Sequence, residues 1–174
     1  VGTRGAREQV RVLARKAGLK NVFVTNGYTT TAALETIAPY LDAANVDLKA
    51  FTERFYREVT GATLAGVLAC LQDYRRLGIW LEVTTLVIPG WNDDEGELRQ
   101  LAGYLATELG PEVPWHVSAF HPTYKMRDRS PTPAATLQRA AAIGREEGLQ
   151  HVYVGNLPVV GGEDTRCPHC GATV

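Results

Sequence analysis

Residues 79–90 read I-W-L-E-V-T-T-L-V-I-P-G, and the reading of this run decides the fold. Branched and aromatic side chains dominate it, and Pro89-Gly90 stops it. That combination predicts a strand over residues 79–88 that ends in a turn. The run is nearly continuous in apolar character, which fits a parallel strand covered on both faces. Helical patterns flank it. Residues 62–77 precede it and close on Gly78, where a C-terminal cap is expected. Asp93 or Asp94 can cap a following helix to about residue 109, and Gly110 comes next.

The same alternation extends in both directions. Toward the N-terminus come a short helix over residues 52–59, a strand over 45–48, a helix from Thr30 or Thr31 to about residue 41, and a strand over 21–25 stopped by Asn26-Gly27. A first helix spans residues 4–17, where Ala6, Val10, Leu13, Ala14 and Ala17 recur at spacings of three and four. Toward the C-terminus come a strand over 115–120, a polar loop over 123–132, a helix over 133–147 and a strand over 151–155. The tail over 158–174 is rich in glycine and without a period. Strands alternating with helical segments predict β-α units and a parallel sheet. An open doubly wound sheet and a (β/α) barrel both fit this order. Five strands would make only an arc of a barrel, since a full one takes about 250 residues.

Composition narrows the function. The chain has 174 residues, 45% of them hydrophobic, enough for one sizeable core in a single domain. A net charge of -1 carries no basic surface of the kind a dedicated nucleic-acid binder needs. The longest apolar runs are strand-length, too short to span a membrane. The opening residues do not read as a signal peptide, and Cys167 and Cys170 form a C-x-x-C pair suited to metal in a reducing compartment. The expectation is therefore a cytoplasmic protein that binds neither nucleic acid nor membrane. The chain opens on Val1 and enters a helical pattern almost at once, so the expectation is a piece of a longer protein.

In parallel α/β architecture, functional groups gather at the carboxyl ends of strands. Those ends carry Asn26, then Asp47 and Lys49, then Thr84 and Thr85, then His121, then Asn156. Asp47 and Lys49 alternate about Leu48 and should share one side of their strand. A carboxylate accepts bonds from ribose hydroxyls and an ammonium pairs with a carboxylate, so a cofactor site is one reading. An internal ion pair is the other. His121 before Pro122 reads equally as a structural hydrogen-bonder, and Asn26-Gly27 as a turn. Cys167-Pro168-His169-Cys170-Gly171 has the spacing of half a tetrahedral zinc site, with His169 as a further candidate. Cys70, between helical Leu68 and Leu71, reads as a small core residue.

Together these segments resemble a family. V-F-V-T-N-G-Y (22–28), V-D-L-K-A-F (46–51) with F-Y-R-E-V-T-G-A (55–62), L-E-V-T-T-L-V-I-P-G-W-N-D (81–93) and W-H-V-S-A-F-H-P (115–122) are similar to radical S-adenosylmethionine (SAM) enzymes. The resemblance is to the pyruvate formate-lyase-activating-enzyme-like proteins, particularly the AmmeMemoRadiSam group, whose members also end in a Y-V-G-N strand and a C-P-x-C-G tail. It implies a partial (β/α) barrel over residues 1–157, parallel strands with outer helices, followed by a tail over 158–174 with a zinc-knuckle half. It also implies SAM and a [4Fe-4S] cluster as cofactors, with reductive cleavage of SAM to a 5'-deoxyadenosyl radical that attacks a protein or small-molecule substrate. Lys49 and His121 would hold the methionine carboxylate, Asp47 the ribose hydroxyls, and Asn26 would lie beside the cofactor. On their own spacing, apart from the resemblance, Cys167 and Cys170 would take zinc.

One departure from the family is large. The C-x-x-x-C-x-x-C loop whose thiolates hold the cluster is absent from these 174 residues, as is the G-G-E-P stretch. Cluster ligation needs several thiolates close together, and Cys70, Cys167 and Cys170 lack that spacing. The chain alone is expected to be inactive and to need an N-terminal part or a partner subunit. Two other readings remain open at this point. One is an aldolase-type barrel with Lys49 as a Schiff-base nucleophile, against which the neighbouring Asp47 argues. The other is a non-catalytic zinc-binding interaction domain.

Overall fold

Every strand predicted from the sequence forms, within two residues of its expected bounds. A computed structural model describes residues 10–174. A helix over residues 10–16 (α1) leads into β1 Val22–Thr25, α2 Thr31–Ile37, β2 Ala43–Asp47, α3 Glu53–Phe55 and α4 Leu64–Arg76. Then follow β3 Trp80–Val87, α5 Glu95–Tyr104, β4 Trp115–Ala119, α6 Ala134–Glu146 and β5 Val152–Gly155. The expected start of the first helix, at residue 4, lies outside the described residues. Four helices start where a short polar side chain satisfies an orphan N–H: Thr30, Thr52, Thr63 and Asp94 each accept from the backbone three residues on. α3 and α5 each run on into a single π-turn, Tyr56–Thr60 and Leu105–Leu109.

The five strands lie in the order β1-β2-β3-β4-β5, and every pair is parallel. That order separates the two architectures left open by the sequence. Crossovers between parallel strands are right-handed, so steps that all run in one direction place all the connecting helices on one face. A doubly wound sheet needs a reversal, and none occurs in this sheet. The result is an arc of a (β/α) barrel with outer helices.

This winding overturns the expectation that β3 is covered on both faces. Leu81, Val83, Thr85 and Val87 are buried under helices, whereas Trp80, Glu82, Thr84 and Leu86 alternate with them on the open face. The alternation was present in the sequence as W-x-E-x-T-x-L but was masked by the size of Trp80 and Leu86. β4 repeats the pattern, with Trp115, Val117 and Ala119 inward and His116 and Ser118 on the open face.

The core lies between the sheet and the helix layer. Trp115 is fully buried, and α6 approaches it closely at Gly144, where an added Cβ would sit 2.8 Å from Trp115 Cε3. The indole N–H donates to Thr85 Oγ1 at 2.9 Å, and that hydroxyl donates to Leu48 O at 2.8 Å. Three strands are thereby joined through one buried polar chain in an otherwise apolar layer.

The tail is ordered by turns, which explains its missing period. Val154 N–H donates to Gly162 O at 2.7 Å along the edge of β5, and Arg166 and Thr173 form an antiparallel bridge. Among the described residues, no helix is long and apolar enough to cross a membrane.

Candidate cofactor site at the strand tips

The carboxyl tip of β2 is the most heavily fixed backbone near the strand ends. Lys49 Nζ lies 2.7 Å from Asp47 Oδ2, with the two side chains 34% and 31% exposed. Alternation about Leu48 brings the two together. The Lys49 N–H donates to Tyr56 Oη at 3.1 Å, and its carbonyl accepts from Asn92 Nδ2. Two residues on, Phe51 N–H donates to Glu97 Oε1 at 2.7 Å. Burial pushes the Tyr56 phenol up to about 12, so it acts as a neutral hydroxyl at physiological pH. Burial also raises the Glu97 carboxyl, against the opposing pull of the Phe51 N–H.

Asn92 joins this tip to the next strand. Its side chain is 1% exposed. The amide donates to Leu86 O at 2.9 Å as well as to Lys49 O, and its carbonyl accepts from Ile88 N–H at 2.6 Å. Farther along the arc, buried Thr132 donates to Val87 O at 2.6 Å and accepts from Phe120 N–H at 2.8 Å. Asn156 holds both backbone groups of Ala119, at 2.7 and 2.8 Å, from a left-handed conformation with φ 54. Each strand tip from β2 to β5 is thus tied to a neighbour by a polar side chain.

A cavity of about 480 Å³ opens over the tips of β1, β2 and β3. Asn26 and Lys49 bring polar groups to it, Tyr56 and Leu86 form part of its wall, and Ile88 and Met126 add apolar surface. Asn26 is exposed, and its Oδ1 accepts from Tyr28 N–H at 3.1 Å in a tight turn. Gly27 is required there, with φ +68 and a Cβ position 2.7 Å from Val46 Cγ1. Of the residues singled out from sequence, Asn26 and Lys49 line this cavity; Asp47 does not line it and is bonded to Lys49 at 2.7 Å. His121 is exposed just past Phe120 and does not line it.

The open face of the sheet carries Glu82 and His116, which the sequence reading missed, beside Thr84, which it placed at a strand end. Glu82 Oε2 and His116 Nε2 lie 2.8 Å apart, and His116 stacks on Tyr153 with ring centroids 5.1 Å apart. Thr84 Oγ1 donates to Asn45 Oδ1 at 2.7 Å. Period-two reading of β3 and β4 would have placed Glu82, Thr84 and His116 on one face.

Cys70 lies apart from Cys167 and Cys170. Cys70 is buried in α4, where burial pushes its thiol up. Cys167 and Cys170 sit in the tail turn, where the backbone N–H groups of Cys170 and His169 hold the Cys167 thiol below its ordinary value. Among the described residues, no three His, Cys, Asp or Glu side chains are grouped so as to hold a metal ion. These thiols therefore do not fit an iron–sulfur cluster, which needs its cysteines together.

Comparison with known proteins adds to this geometry. A family model described as "Radical SAM superfamily" matches residues 4–102. The uncharacterized protein MJ0808 of Methanocaldococcus jannaschii is 45% identical over 161 residues, which is 92% of this chain and 47% of that protein. An isethionate sulfite-lyase activating enzyme of Oleidesulfovibrio alaskensis is 28% identical over 110 residues, 62% of this chain and 35% of that enzyme. The chain thus spans less than half the length of these relatives. Among solved structures, a domain of pyruvate-formate lyase-activating enzyme from Bacteroides vulgatus superposes with a TM-score of 0.73, covering 85% of this chain and 88% of that one. At 15% identity, that likeness is one of fold.

Proposed function

The chain belongs to the radical SAM superfamily, and from that premise we propose that it contributes the C-terminal arc of an activase-like barrel and binds SAM at the tips of β1, β2 and β3. The single observation that carries the reading is the Asp47–Lys49 pair at the edge of the 480 Å³ cavity. The donor set fits SAM. Lys49 offers an ammonium to the methionine carboxylate, Asp47 offers acceptors to the ribose diol, and Leu86 and Ile88 offer apolar surface to the adenine. Asn26 stands at the rim. His121 joins the carboxylate end in this reading, from the exposed segment after β4. When bound to a reduced cluster, the cofactor supplies a 5'-deoxyadenosyl radical. The protein groups bind and orient it, and the ties from Tyr56, Asn92 and Glu97 hold the β2 tip still while they do so.

The cluster ligands are not supplied by Cys70, Cys167 or Cys170. In this reading they come from a C-x-x-x-C-x-x-C segment outside the present sequence or on a partner subunit. Residues 1–157 serve as the barrel arc and 158–174 as a separate tail. The reaction acts on a protein or a small molecule in the reducing cytoplasm, where the free thiols persist. Against an aldolase-type role, the ammonium of Lys49 is already engaged by Asp47.

The test is anaerobic reconstitution of a longer polypeptide that joins this chain to a C-x-x-x-C-x-x-C segment, with iron counted and 5'-deoxyadenosine assayed after reduction. The reading expects about four irons per chain and SAM-dependent 5'-deoxyadenosine, with neither formed by the 174-residue chain alone. A loaded cluster with no 5'-deoxyadenosine would remove it.

A further inference from the structure

The tail turn is a built half of something, and the cofactor site does not use it. Two bonds anchor its base to β5: Val154 N–H to Gly162 O at 2.7 Å, and Tyr153 Oη to Thr165 Oγ1 at 3.1 Å. Beyond them the chain doubles back. Val174 N–H donates to Thr165 O at 2.9 Å, Cys167 N–H donates to Ala172 O at 2.8 Å, and Gly171 N–H donates to Cys167 O at 2.8 Å. Gly171 takes a φ of +72, which only glycine adopts without strain and which lets the turn close after Cys170. The N–H groups of His169 and Cys170 are turned toward the Cys167 sulfur. Cys167 is half-buried and Cys170 exposed, so the two sulfurs sit at the outer end of a small hairpin. A two-residue spacer in a tight turn with N–H groups pointing at sulfur is how a backbone presents two thiolates to one tetrahedral ion.

We propose that Cys167 and Cys170 are two of the four ligands of a structural zinc site, and that a second pair of soft ligands, from another segment or from a second copy of the chain, completes it. The ligand chemistry decides the metal. Two thiolates favour a borderline-soft divalent ion, and hard oxygen-seeking cations are poor competitors there. Among the described residues no third ligand joins the pair, so the remaining positions must be filled from another segment or another copy. A filled site would tie that segment to the hairpin and, through Thr165 and Gly162, to the edge of β5. The zinc would act as a clasp on the sheet edge, at a distance from the chemistry at the tips of β1 to β3. This inference is independent of the SAM reading.

The test uses zinc chloride alone as the probe, on reduced protein under argon, with retained metal counted after desalting and the mass taken by sedimentation. The 174-residue chain and the longer polypeptide are measured side by side. A second copy as donor gives about one zinc per two chains and a dimer in the short chain; an upstream segment gives about one zinc per chain in a monomeric long one. Either result supports the proposal when Cys167→Ser and Cys170→Ser each abolish retention and Cys70→Ser does not. Zinc K-edge spectroscopy should show sulfur neighbours at about 2.3 Å. Circular dichroism of the variants, and their iron content in the long form, should match the parent, which separates loss of zinc from loss of fold or cluster. No retained zinc in either protein, or zinc retained by the Cys167→Ser/Cys170→Ser double variant, overturns it.

Discussion

Asn92→Ala tests how the β2 tip is held. The side chain is 1% exposed and makes three bonds: from Ile88 N–H at 2.6 Å, to Leu86 O at 2.9 Å, and to Lys49 O. Each is worth roughly 0.5–1.5 kcal/mol net, and the alanine also leaves buried backbone groups without partners. The expected loss is about 3 kcal/mol, a large share of the roughly 5–15 kcal/mol that holds a domain together. For a chain of this size that is a fall in melting temperature of roughly 6–12 °C. Asn92→Asp keeps the acceptor for Ile88 but turns a carboxylate toward two carbonyls, so at pH 7 it should be worse than alanine and should improve on acidification. Urea denaturation followed by circular dichroism reads both. An alanine variant within about 0.5 kcal/mol of the parent, at unchanged m, would refute the reasoning, since surface changes produce that much.

Other consequences are as concrete. Gly144→Ala would place a Cβ 2.8 and 2.9 Å from two atoms of the Trp115 ring and 3.0 Å from Val152 Cγ2. Overpacking of roughly 1–3 kcal/mol should outweigh the gain of about 1 kcal/mol from replacing a helical glycine; a stabilised variant in thermal melts would contradict the close approach. Glu97 has a carboxyl raised by burial above its ordinary 4.5. The folded chain therefore keeps that proton at pH values where the unfolded chain has lost it, so the group favours folding below about 4.5 and loses that advantage as pH climbs through the raised value. Glu97→Gln keeps an acceptor for Phe51 N–H and removes the titration, so the variant should gain stability relative to the parent between pH 4 and pH 7. A difference that stays flat with pH would count against a buried charge at Glu97.

The fold was legible because its punctuation is strong. Gly18, Gly78 and Gly148 follow the ends of α1, α4 and α6 with positive φ, and Thr30 and Asp94 start helices as their types suggest. The choice between barrel arc and doubly wound sheet was not legible from local pattern, because it depends on the direction of each crossover, a property of the whole chain. The Asp47–Lys49 pair was visible through strand alternation. The roles of Thr132 and Glu97, and the hold of Asn92 on Lys49 O, were hidden, because these bonds reach backbone 12 to 46 residues away, and sequence spacing carries no trace of such contacts. The Glu82–His116 pair could have been found by holding β3 to a strict period of two. Its apolar look came from counting residues in place of faces.

Cofactor binding at the β2 tip requires Lys49 to face the carboxylate of a bound adenosyl cofactor. The most direct measurement is calorimetric titration of SAM into the cluster-loaded longer polypeptide, comparing the parent with Lys49→Met at equal iron content. Removing one charge-assisted contact worth about 1.5–3 kcal/mol should weaken binding roughly 10- to 100-fold, with iron unchanged. Equal affinity in the two proteins would mean that the tip of β2 holds no cofactor.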